Sequence, residues 1–140
     1  MHGEFSEAQV ITCNVADASA EVNENDALVL TGDREVRVAD QDGEAWHGLA
    51  QGPARDKPGG GQYVAVEMKG ARNGNVAAEY DDDGDSTNAD VAVEAPAQLV
   101  PNGNDGELRP LRDGEAAPEG IDGLLLAAPD GDGHGLVFIR

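Results

Sequence analysis

The chain has 140 residues, of which 28 are Asp or Glu and only 9 are Lys or Arg, so its formal charge is −19. So acidic a surface repels a phosphate backbone and excludes nucleic acid as a partner. No window reaches the ~18 apolar residues of a membrane helix, and the single cysteine, Cys13, excludes an intramolecular disulfide.

No cationic leader precedes an apolar stretch, so the chain reads as soluble and made in the cytoplasm. Seven of the nine bases are Arg and two, Lys57 and Lys69, are Lys. In dilute buffer the crowded carboxylates would repel one another. In molar salt the screening length falls to ~3 Å and the repulsion is damped. An acid-rich, Lys-poor surface is therefore expected of a protein that works in brine. Leu, Ile, Val and Phe total 28 residues, a share at which disorder competes with folding. Their clustering into short runs favours a folded core.

The length fits one domain, with residues 1–20 as an N-terminal arm or first strand and residues 21–140 as the body. Phe5, Val10, Ile11 and Val15 are the main apolar points of the first stretch. Continuous apolar runs follow at Ala27-Leu28-Val29-Leu30-Thr31, Leu124-Leu125-Leu126-Ala127-Ala128 and Leu136-Val137-Phe138-Ile139. These are expected to be strands buried on both faces. Alternation at Glu35-Val36-Arg37-Val38-Ala39, Tyr63-Val64-Ala65-Val66-Glu67-Met68 and Asp90-Val91-Ala92-Val93-Glu94 predicts half-buried strands. Trp46-His47-Gly48-Leu49-Ala50 also reads as a strand, with Trp46 and Phe138 as core or interface anchors. Asp42-Gly43, Asn73-Gly74, Asn102-Gly103 and Asp130-Gly131 have the chemistry of tight hairpin turns. A helical turn has candidates only near Pro118-Glu119-Gly120 and in the N-terminal segment. Nine to eleven short strands at ~8–12-residue spacing predict an all-β fold, a compact Gly-rich β-barrel or β-sandwich with a short N-terminal arm.

No catalytic motif stands out. His2, His47 and His134 lie outside any recognisable constellation, and no nucleophile elbow, phosphate loop or zinc-protease helix is present. The chain is expected not to be an enzyme. Glu79-Tyr80-Asp81-Asp82-Asp83-Gly84, followed by Asp90, imitates a calcium loop, with Glu79, Asp81, Asp83 and Asp90 at ligand positions. The strand-like flanks and Ser86 at an apolar position argue against an EF-hand. In so acidic a chain, loosely held Ca, Mg, Na or K ions are the simpler expectation, and no cofactor is expected.

The order Asn25-Asp26-Ala27-Leu28-Val29-Leu30, Glu35-Val36-Arg37-Val38-Ala39, Trp46-His47-Gly48-Leu49-Ala50 and Gly61-Gln62-Tyr63-Val64-Ala65-Val66 opens a longer pattern. It continues through Gln98-Leu99-Val100-Pro101, Gly106-Glu107-Leu108-Arg109-Pro110-Leu111 and Gly123-Leu124-Leu125-Leu126-Ala127 to Gly133-His134-Gly135-Leu136-Val137-Phe138-Ile139. This layout resembles the small decoration, or cement, proteins of tailed viruses with HK97-like capsids. Ala95-Pro96-Ala97 departs from their usual glycine, and the acidic run from Asp81 is extra. The resemblance implies a β-barrel or β-sandwich on the outer capsid surface of a haloarchaeal tailed virus. It implies that the chain binds the major capsid protein, stabilises the shell and assembles as a homo-oligomer, a trimer. Phe5, Val10 and Ile11 are the expected contact residues. Alternatives are another virion β-domain (turret, tail or fibre base) and a cellular halophilic cation-binding module.

Overall fold

A computed structural model describes residues 9–85, 87–119 and 123–140. Among these residues, twelve strands make up the regular structure: β1 (Gln9–Val15), β2 (Ala27–Gly32), β3 (Glu35–Val38), β4 (Gly48–Ala50), β5 (Arg55–Asp56), β6 (Gln62–Asn75), β7 (Glu79–Tyr80), β8 (Val91–Ala92), β9 (Ala97–Pro101), β10 (Leu108–Pro110), β11 (Gly123–Ala127) and β12 (His134–Ile139). There is no helix among the described residues. The fold is all-β, as the alternation and turn chemistry predict.

Strands β1, β3, β2, β4 and β6 are hydrogen-bonded in that order, and β6 returns to β1, closing a barrel. Its interior is filled by Cys13, Val22, Leu28, Val36, Val38, Ala50, Val64 and Val66. Every second residue of β3 and of the first half of β6 supplies this core, which is the period-2 pattern expressed in space.

The 14-residue β6 outlasts the barrel. Its last partner in β1 is at Lys69, opposite Gln9, and its first partner in β12 is at Gly70, opposite Ile139. Gly70 has φ 114°, a conformation that side chains resist, and it sits where the strand changes neighbours. From there β12, β11, β9 and β10 extend a second sheet. That sheet curls until Leu108 bridges Val76, just beyond β6. A second core lies between it and the barrel, built from Ala27 and Val29 of β2, Leu49, Trp46, Leu99, Leu108, Leu125, Val137 and Ile139 among others. The Trp46 indole N–H donates to the Leu99 carbonyl oxygen at 3.0 Å. Gly123 lies directly against the ring, where a Cβ would collide with it.

Four expectations need correction. The runs in β11 and β12 are not buried on both faces: Leu125, Val137 and Ile139 point inward, while Leu126 and Leu136 are exposed. The second sheet packs on the barrel through one face, so the apolar residues of the other face stay in solvent. The run at β2 is buried on both faces only through Ala27, Leu28 and Val29, because Leu30 and Thr31 pass beyond the cores. Asn73-Gly74 is no turn but lies inside β6, where a Cβ on Gly74 would sit 3.0 Å from Val137 and 3.4 Å from Leu49. The glycine there serves close packing, which local sequence cannot distinguish from a turn. Asp42-Gly43 and Asn102-Gly103 do turn, with φ 76° and 93° at the glycines. In the β11–β12 connection the positive φ falls at Gly133 instead of Gly131.

Candidate functional site

The acidic loop joins the small β7–β8 hairpin. One carboxylate oxygen from each of Asp81, Asp82 and Asp83 can be found within 4.8 Å of the others. Glu79, in β7, and Asp90, just before β8, are exposed and stand outside this trio. The carboxylates are already engaged in shaping the loop. Asp81 Oδ1 accepts from the backbone N–H groups of Asp83 and Gly84 at 3.3 and 3.0 Å. Asp83 accepts from Asp85 N–H at 2.9 Å and from the Asn88 amide at 2.7 Å, which hold its carboxyl below the usual range. These are Asx-type turns, in which a side chain replaces a backbone acceptor.

Sequence reading did not find the ionic cluster that anchors this loop. Arg109, on β10, is 1% exposed. Its Nε donates to Asp42 Oδ1 at 2.9 Å, and its two terminal nitrogens donate to Glu115 at 2.7 and 2.9 Å. Arg112 donates to the other Asp42 oxygen at 2.9 Å and to the Asp81 carbonyl oxygen at 3.0 Å. The Arg109 bonds pull Glu115 below its ordinary carboxyl range. Partial burial pushes Asp42 upward, but the two guanidiniums outweigh it and leave that group lowered as well. A two-pronged guanidinium grip fixes direction as well as charge. It ties the β3–β4 turn to β10 and to the acidic hairpin.

A second polar seam runs between barrel and sheet. Asp26, almost fully buried, accepts from Asn23 N–H at 2.8 Å and from the Asn75 amide at 2.8 Å. Burial nevertheless raises its pKa. Arg72 donates to Asn25 Oδ1 at 3.1 Å and lies 3.6 Å from Glu67, itself 4% exposed, with Oε2 lacking a hydrogen-bond partner among the described residues. The histidines show no catalytic pairing among the described residues: His47 Nδ1 accepts from Leu30 N–H at 3.0 Å, and burial lowers its pKa. Burial likewise raises the Cys13 thiol above its ordinary value, against the opposing pull of Arg34. A shallow cavity of about 190 Å³ lies between residues 51–55 and residues 63–65.

Two surfaces stand apart from the acidic exterior. One is the outer face of β11 and β12. Leu124 is opposite Phe138, and Leu126 sits in a bulge beside Leu136. Ala71 and Asn73 of β6 extend the face on one side and Gln98 of β9 on the other. None of these seven positions carries a charge. The other surface is β1, where Val10 is 43% and Ile11 38% exposed. Both were expected in a contact arm, and the structure places them in a barrel strand. Phe5 and His2 lie outside the described residues. No family model and no curated protein matches the chain.

Proposed function

We propose that the protein is a structural component of a virion. In this reading it decorates the outer surface of the HK97-like capsid of a tailed virus from a salt-loving host. It binds the major capsid protein, stabilises the shell and carries out no catalysis. The observation that carries the reading is the uncharged apolar face of Leu124, Leu126, Leu136 and Phe138 on a chain with 28 acidic residues. A face of this kind loses solvation free energy until another protein covers it, at ~25 cal/mol per Å². Repeated over a shell, a modest contact per copy sums to substantial resistance against internal genome pressure. The order of strand-like runs, which resembles that of cement proteins, supports the same reading. An acidic exterior would keep the particles apart in brine.

The test is quantitative mass spectrometry of gradient-purified virions, combined with gold-labelled antibody against this chain. Label over the heads, with a copy number commensurate with the icosahedral lattice, is expected. The double substitution Leu126→Asp, Leu136→Asp should release the protein from the heads while leaving its circular dichroism unchanged. Label confined to tails or to one vertex would assign it to a tail, fibre base or turret. Its absence from particles would overturn the virion reading.

A further inference from the structure

We propose that β1 is a self-pairing edge, through which two copies of this chain join their barrels about a two-fold axis. Toward β6, residues 9–14 are fully paired. On the opposite side β1 meets β3 only at Asn14 and Val15. The Asn14 N–H bonds to the Arg34 carbonyl on that side, at 2.7 Å. Backbone groups alternate along an antiparallel strand, so those of Val10 and Thr12 face the same way as those of Asn14. Among the described residues, the one bond made there is from the Arg34 guanidinium to the Thr12 carbonyl oxygen, at 3.1 Å. That oxygen has a second lone pair to offer.

Proteins blunt such edges with charges, prolines or a covering segment. The sequence Gln9-Val10-Ile11-Thr12-Cys13-Asn14-Val15 contains no charge and no proline, in a chain where 26% of residues are charged. Only a register shift beside Gln9 interrupts it.

Charge selects a second copy as the occupant. Two molecules of −19 repel over most of their surfaces. Here the strip itself is neutral and Arg34, Lys57 and Lys69 border it. Lys69 is opposite Gln9, and the Lys57 ammonium donates to Asn14 Oδ1 at 2.9 Å. None of the three bases forms an ion pair with a carboxylate among the described residues. Asp33 and Glu35 flank Arg34, and Glu35 accepts from the Thr31 hydroxyl. Antiparallel pairing centred on Ile11 sets Val10 of one copy opposite Thr12 of the other. Each copy then satisfies the other's open N–H and C=O groups. This contact differs from the three-fold assembly that the cement-protein resemblance implies, and it does not depend on a virion location.

Light scattering after gel filtration of the full chain in ~3 M KCl, where surface charge is screened, should give twice the chain mass. Thr12→Pro removes an N–H only from the open side, where an edge strand tolerates proline. Val10→Glu places a carboxylate at the pairing strip. Both variants should run as monomers with unchanged circular dichroism. In the wild type, the Val10 and Thr12 amides should exchange slowly with solvent, and in Val10→Glu they should exchange fast. A monomeric or trimeric wild type would overturn the proposal, as would a dimer that both variants leave intact.

Discussion

Replacing Arg109 by Met tests whether the buried guanidinium organises the acidic side of the molecule. Met fills much of the same space without charge, so the change isolates the ionic grip from packing. The substitution removes three bonds to carboxylates and one to the Pro110 carbonyl oxygen at 3.0 Å. Hydrogen bonds to charged groups contribute ~1.5–3 kcal/mol each, but the sum overstates the loss. The Asp42 and Glu115 side chains are 44% and 25% exposed, so water can take over part of their solvation. The guanidinium's own desolvation cost also disappears with it. The net loss is expected at ~2–4 kcal/mol, a large share of the ~5–15 kcal/mol that holds a domain folded. Urea titration in molar KCl, followed by Trp46 fluorescence, measures it directly.

The same network fixes the pH signature. Asp42 and Glu115 are held below their ordinary carboxyl range in the folded state, so the folded protein binds fewer protons than the unfolded chain in acid. Their stabilising contribution is complete above the ordinary carboxyl range and is lost as pH falls through the lowered folded values. The gap between wild type and Arg109→Met should therefore be widest near neutrality and narrow in acid. A gap below ~1 kcal/mol, about the size of one neutral hydrogen bond, or one that ignores pH would refute the reasoning.

Gly70→Ala should destabilise the fold by ~1–3 kcal/mol, because φ 114° at the strand's change of partners is strained for any side chain. A thermal melt checks this, and an unchanged midpoint would show that β6 can bend elsewhere. Lowering KCl from molar to below ~0.1 M lengthens screening to ~10 Å and exposes the −19 charge to its own repulsion. Circular dichroism should show loss of strand signal over that range, whereas a flat response would count against adaptation to brine.

Much of the barrel was legible because its signals are local. Val36 and Val38, or Val64 and Val66, alternate with outward residues, and that period is a property of an extended backbone whichever strand lies alongside. Asp42-Gly43 and Asn102-Gly103 marked real turns for a similar reason: the glycine conformations they require are set within a few residues. The acidic run from Asp81 was also visible in the sequence, but its use as a set of backbone acceptors was not.

What the sequence alone could not determine depends on residues distant along the chain. Arg109 meets Asp42 from 67 positions away, so nothing beside either residue announces the pair. Leu125 and Leu126 are neighbours of the same type, yet one is buried and the other exposed, because a single face of the second sheet packs on the barrel. Asn73-Gly74 carries the signature of a turn and instead lets Val137 and Leu49 approach β6. Among the described residues, β3 pairs with only the last two residues of β1, and nothing in either strand's own sequence sets that register. Composition and periodicity determined that this chain forms short β-strands joined by glycine-rich turns. Tertiary pairing alone decided which faces and edges remained exposed, since that depends on which distant strands meet.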